Sequence, residues 1–69
     1  MTYIDVILPL ALPKLYTYTV PAELVEPVRL GMRVEVQFGK TRIYSALVRR
    51  VHEEHPDYEA KPIISVLDA

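Results

Sequence analysis

The sequence predicts an all-β domain: a small, barrel-like bent sheet of five or six strands, similar to an OB fold. Residues 32–38 alternate strictly between apolar and polar side chains, which is the period of a strand with one buried face. No ten-residue segment carries the spacing of an amphipathic helix. Prolines and glycines divide the 69-residue chain at short intervals, as connections between short strands require.

The first half of the chain predicts two strands and a short turn. Residues 2–8 are predicted as the first strand, and Pro9 and Pro13 kink the connection that follows. Leu15–Val20 is rich in tyrosine, threonine and valine, which suit a pleated and half-buried surface. Residues 23–26 allow one helical turn, which Pro27 stops.

The second half predicts three more strands. Residues 32–38 and Arg42–His52 are predicted to pair through a short hairpin, in which Gly39 is free to adopt a positive φ. A polar loop over residues 52–61 follows. Residues 62–68 are predicted as a last, shorter strand that begins at a proline, where the missing N–H costs least.

Composition excludes several classes of protein. The chain is 51% apolar and 25% charged and has no cysteine, so it is globular and contains neither a disulfide nor a thiolate metal site. The longest uncharged stretches, residues 6–13 and 15–22, are far shorter than the ~20 residues of a membrane-spanning helix. We therefore expect a cytoplasmic protein with no membrane partner.

Charge is unevenly distributed although the net charge is only −1. Residues 29–50 contain six basic side chains against one acid, whereas residues 53–59 contain four acids. Such runs usually form solvated faces, but a basic patch that meets phosphates is the other interpretation. Charge alone favours the first.

The motifs of enzymes are incomplete. Gly39-Lys40-Thr41 resembles the end of a phosphate-binding loop, but Val34 stands where that loop needs its first glycine. His52 and His55 are three residues apart, whereas the zincin helix places its two histidines four apart. Without a nucleophile or a plausible metal site, the chain alone is predicted not to be an enzyme and to hold no cofactor.

Tyr16 and Tyr18 share one face of their predicted strand, with Thr17 on the other. Both rings can cover the core with their hydroxyls at its wet edge, which spacing alone favours. They can also form a platform on which a nucleic-acid base stacks, which is worth ~1–3 kcal/mol per base.

Three blocks of sequence resemble the primosomal replication-restart helicase family (PriA, or primosomal protein N′). The blocks are VILPLALP at 6–13 with YTY at 16–18 and Pro21, GMRVEVQFGK at 31–40, and KPIISVLD at 61–68. They occur in the family's order and span nearly the whole chain.

This resemblance implies that residues 1–69 form a single β domain, most of the N-terminal 3′ DNA-binding domain of a longer helicase. It implies a pocket for the 3′ end of the nascent leading strand at stalled bacterial replication forks. Forked DNA, the helicase's other domains and primosome proteins are the implied partners. The ATP-dependent 3′–5′ motor, its magnesium and the family's zinc would lie downstream of this chain.

By position, the resemblance assigns five residues to that pocket: Tyr16, Thr17, Tyr18, Gly39 and Lys61. Thr17 departs from the family, which has an acidic residue there, so discrimination between a 3′-hydroxyl and a 3′-phosphate is open. Lys40 and Arg42 are further candidates for phosphate contacts.

Two other classes of function remain alternatives. The chain can be a protein-interaction or domain-packing module without DNA-end specificity, which an exposed apolar patch would indicate. It can also be part of an enzyme completed by residues after Ala69, which a deep polar cleft with perturbed acids would indicate.

Overall fold

The structure is a computed structural model that describes residues 1–11 and 14–67. It contains five strands, which confirms the predicted all-β class: β1 (Thr2–Ile7), β2 (Leu15–Val20), β3 (Arg33–Phe38), β4 (Arg42–His52) and β5 (Ser65–Val66). They form one antiparallel sheet in the order β2-β1-β4-β3-β5.

The observed strands follow the predicted segments closely, except at the end of the chain. β2 and β4 have the predicted bounds, and β1 and β3 are each one residue shorter. The last predicted strand, residues 62–68, is reduced to Ser65–Val66, and its residue 68 is outside the described part. The predicted helical turn is a 3-10 turn at Ala22–Leu24, directly after Pro21.

Residues 61–64 explain both the short β5 and the bent shape of the sheet. The N–H of Thr19 in β2 donates to the carbonyl of Lys61 (2.8 Å), and the N–H of Ile63 donates to the carbonyl of Thr19 (3.0 Å). The N–H of Ile64 then donates to Glu35 in β3 (2.7 Å). One segment therefore contacts both β2 and β3, so the sheet is barrel-like without a continuous closed ladder.

The core lies on one face of this bent sheet, because alternate side chains of each strand point to the same side. Among the described residues, the largest fully buried side chains are Ile4, Val6, Val34, Val36 and Val48. Burial of each contributes about 1.5–3 kcal/mol. Leu8, Val28 and Ile63, which lie outside the strands, also belong to the core.

One irregularity shapes the sheet near its polar groups. Between β1 and β4 the register shifts, because Asp5 pairs with Arg50 and Val6 pairs with Val48. The extra residue, Arg49, forms a β-bulge.

In the described part of the chain, no helix has the length and apolar composition needed to cross a membrane.

Candidate nucleic-acid interface

A cavity of about 190 Å³ lies between β2, the turn after β3 and the segment that precedes β5. Nine residues line it: Tyr16, Thr17, Tyr18, Gln37, Phe38, Gly39, Tyr58, Glu59 and Lys61. Its walls therefore come from three stretches of chain that are far apart in sequence.

All five residues assigned to a pocket by resemblance line this cavity. The other two candidates, Lys40 and Arg42, are exposed on the hairpin between β3 and β4 and do not line it. They lie on the same hairpin as Gly39, next to the cavity wall that Gly39 forms.

The two tyrosines of β2 differ in their environment. Tyr18 belongs to the core, with 5% of its surface exposed, and its hydroxyl donates to the backbone carbonyl of Gln37 (2.9 Å). Burial raises the pKa of Tyr18, and the nearby phenols of Tyr58 and Tyr16 raise it further, so its hydroxyl remains a donor at neutral pH.

Tyr16 is half-buried and packs edge-on against the ring of Phe38, with 5.0 Å between the ring centroids. The ammonium of Lys14 lies 5.4 Å from the centroid of the Tyr16 ring. Tyr18 is therefore a core residue with its hydroxyl at the edge of the core, whereas the ring of Tyr16 is more accessible.

Thr17 presents its backbone, rather than its hydroxyl, to the cavity. Its Oγ1 donates to a carboxylate oxygen of Asp5 (2.7 Å), which is its cross-strand partner on the outer face of the sheet. Its backbone N–H donates to the hydroxyl of Tyr58 (3.0 Å). The free edge of β2 thus supplies a polar group at this wall.

Asp5 anchors a polar cluster behind the cavity wall. Nε2 of His52 lies 2.9 Å from Asp5, and Nδ1 of His52 accepts from the N–H of Glu54 (3.1 Å), so Nε2 is the ring nitrogen that donates to Asp5. Burial acts to raise the pKa of Asp5, but the hydrogen bonds from His52 and Thr17 and the charges of His52 and Arg50 lower it overall. Asp5 is therefore an ionised, internally satisfied acceptor.

The β3–β4 turn is held by contacts to its carbonyls. The side-chain amide of Gln37 donates to the carbonyls of Gly39 (3.3 Å) and Lys40 (3.0 Å). Lys61 Nζ also donates to the Gly39 carbonyl (3.2 Å), which links two walls of the cavity. Gly39 has φ +72°, and a side chain there would meet nothing within 4 Å, so backbone conformation is what requires glycine.

Four of the lining residues were not predicted from the sequence: Gln37, Phe38, Tyr58 and Glu59. The alternation over residues 32–38 predicted that Phe38 faces the core and that Gln37 faces solvent. Tyr58 carried a signal, because it is the one aromatic residue in an otherwise polar and acidic loop.

The basic run does not act as one free surface. The guanidinium of Arg29 donates to the carbonyls of Glu26 and Val28, and Arg50 forms an ion pair with Glu54 from the acidic run. The cavity itself is lined by one cation, Lys61, and one carboxylate, Glu59.

The family model described as the 3'DNA-binding domain (3'BD) of PriA matches residues 5–69. Searches of curated proteins and of solved structures gave no match.

Proposed function

The chain belongs to the family of PriA 3′ DNA-binding domains and is a DNA-binding module, and we propose that its cavity receives the 3′ end of a DNA strand. One observation carries the proposal: residues from β2, the β3–β4 turn and the segment before β5 converge on the same cavity. The cavity is lined by aromatic rings, the backbone N–H of Thr17 and one ammonium, which are the kinds of group that hold a terminal nucleotide.

In this proposal the terminal base stacks on Tyr16. The ring is half-buried and held edge-on by Phe38, so little rotamer freedom remains to be lost on binding. Tyr18 contributes rigidity instead, because its ring is in the core and its hydroxyl is bonded to the Gln37 carbonyl. Stacking tolerates every base, so we expect little sequence preference.

Phosphate contacts would come from Lys61, with Lys40 and Arg42 on the adjacent hairpin. Lys61 is exposed and bonded to the Gly39 carbonyl, so its ammonium is held at the rim of the cavity by a neutral partner. Because an end pocket meets few phosphates, the salt dependence of binding should be shallow.

Membership of the family supports a proposal about the wider role of the chain. We propose that the chain captures the 3′ end of the nascent leading strand at stalled forks and directs a replication-restart helicase there. In that longer protein the ATP-dependent 3′–5′ motor, its magnesium and the zinc would be downstream, and this module would need no cofactor. Linkage to the motor's own DNA contacts would raise the effective concentration of a weak site.

The test is fluorescence anisotropy with three labelled single strands: one with a free 3′-hydroxyl, one with a 3′-phosphate, and one in which only the 5′ end is accessible. We expect the free 3′-hydroxyl to bind most tightly, since a terminal phosphate adds bulk and charge beside Glu59. Equal affinity for all three would contradict end recognition.

Lys61→Ala is the matching variant, with Arg49→Ala as its control. Both remove one positive charge, but Arg49 lies on the β-bulge and does not line the cavity. We expect Lys61→Ala to weaken binding of the free 3′ end about fivefold and Arg49→Ala to change it by less than about twofold. Unchanged affinity in Lys61→Ala would refute the assigned pocket.

A domain-packing role is the second candidate, and one observation favours it. Leu15, Ile7 and Leu47 are cross-strand neighbours on the outer face of the sheet and are 40–45% exposed. If this apolar row is the functional surface, single-stranded DNA would not raise the melting temperature of the chain, whereas a DNA-binding pocket would.

A further inference from the structure

Tyr58 lines the cavity and is hydrogen-bonded there through its hydroxyl. It lies in the segment between β4 and β5, and 51% of its surface is exposed. Among the residues that the structure describes, its side chain makes one hydrogen bond, in which the phenol oxygen accepts the backbone N–H of Thr17 (3.0 Å). A half-exposed ring held by one neutral hydrogen bond is readily displaced.

The N–H of Thr17 lies on the free edge of β2, where a backbone carbonyl is the usual partner. Two residues along, Thr19 has such partners, because it donates to the Lys61 carbonyl and accepts from Ile63. At Thr17 the partner is a hydroxyl instead. The cavity therefore contains a backbone donor whose position suits a hydroxyl oxygen.

We propose that the Tyr58 hydroxyl is a tethered stand-in for the ligand, and that a 3′-terminal sugar hydroxyl replaces it on the Thr17 N–H. This inference rests on the proposed function, because it names the group in the same cavity that meets the strand end. A sugar hydroxyl and a phenol offer the same hydrogen-bonding capacity, one donor and acceptor lone pairs. Tyr58 thus competes with the strand end and determines how much the terminal hydroxyl contributes to the affinity.

The competition has a measurable signature. In the natural chain a terminal hydroxyl gains the Thr17 N–H only by breaking the bond to Tyr58, so the two contributions nearly cancel. A 2′,3′-dideoxy terminus has no hydroxyl and leaves Tyr58 in place. We therefore expect the natural chain to bind free 3′-hydroxyl and dideoxy ends within about a factor of two of each other.

Tyr58→Phe removes the competing hydroxyl and keeps the ring. Tyr44→Phe is the control, because Tyr44 lies on β4 and does not line the cavity. The probe pair is one labelled single strand that ends in either a 3′-hydroxyl or a 2′,3′-dideoxy sugar, measured by anisotropy. We expect Tyr58→Phe to bind the 3′-hydroxyl strand roughly three- to tenfold more tightly and the dideoxy strand as before, with both unchanged in Tyr44→Phe.

Other results overturn the inference in separable ways. Weaker binding of both strands by Tyr58→Phe would make the hydroxyl a direct DNA contact rather than a competitor. No change, or an equal gain for both ends, would mean that Thr17 does not meet the terminal hydroxyl. If the natural chain bound neither strand, the proposed function itself would fail and this inference with it.

Discussion

Replacing Gly39 with alanine tests whether this glycine is required for the conformation of the turn, for ligand binding in the cavity, or for both. Gly39 has φ +72° and lines the cavity, whereas Gly31 has φ +88° and does not line it. A Cβ at either position would meet nothing within 4 Å. The two glycines therefore carry the same backbone constraint, with open space around both, and differ in whether a ligand would be next to them.

The stability cost of both substitutions can be estimated from backbone conformation. An alanine in the left-handed region costs about 1–2 kcal/mol, and the reduced freedom of its unfolded chain returns about 0.4–1 kcal/mol. Each variant should therefore be less stable by about 1 kcal/mol. In a domain of this size that lowers the melting temperature by about 4–8 °C.

Binding should distinguish the two variants. With a nucleotide beside the Gly39 carbonyl, the added methyl of Gly39→Ala would occupy space that the ligand needs. We expect its affinity for a free 3′ end to fall about tenfold, which corresponds to about 1.4 kcal/mol. Gly31→Ala should bind as the natural chain does. Thermal melts give the stability of each variant, and anisotropy at 20 °C below the lower melting temperature gives the affinities.

Two results would refute this reasoning. If Gly39→Ala bound the 3′ end as tightly as Gly31→Ala, the glycine would serve the turn alone and the nucleotide would not approach it. If Gly39→Ala were as stable as the natural chain, the positive φ would not be the constraint at this position.

Three further predictions concern the fold that holds the site. Because the pKa of Asp5 is lower in the folded chain than its unfolded value of about 3.9, its contribution to stability is complete at pH 7 and is lost as the pH falls through the folded pKa. Urea midpoints should therefore drop less between pH 7 and pH 3 in Asp5→Asn than in the natural chain. Tyr18→Phe leaves the Gln37 carbonyl without its donor and should cost about 1 kcal/mol in urea unfolding, and a stability gain would contradict the hydrogen bond. Val36→Ala removes fully buried methyls and should cost about 2–3 kcal/mol by the same assay, whereas Val51→Ala, at a 44% exposed position, should cost less than 1 kcal/mol.

The strands could be predicted from sequence because their signals are local. The alternation in β3 and the tyrosine-rich composition of β2 identified both segments with bounds within one residue. The last strand was predicted too long, because residues 61–64 are extended but divide their hydrogen bonds between β2 and β3. No local pattern encodes that division, which depends on how far the sheet bends.

The residues that line the cavity could be predicted only where the family supplied positions. Strand alternation correctly placed Thr17 on the face opposite the two tyrosines of β2, but its partner Asp5 follows from the register of β1 with β2, which sequence does not give. Tyr58 meets Thr17 across 41 positions of sequence through one hydroxyl. No periodic pattern or motif in the sequence indicates a contact of that kind.

The hydrogen bonds of residues 61–63 to β2 also bear on self-association. An unpaired edge strand is a template for another chain, and these bonds cover the edge at Thr19 whether or not Tyr58 is in place. Release of Tyr58 alone uncovers one N–H, which is too little to start a new ladder. Because the Thr17 N–H is covered by one side-chain hydroxyl and the Thr19 N–H by a backbone carbonyl, the amide of Thr17 should exchange with solvent faster than that of Thr19.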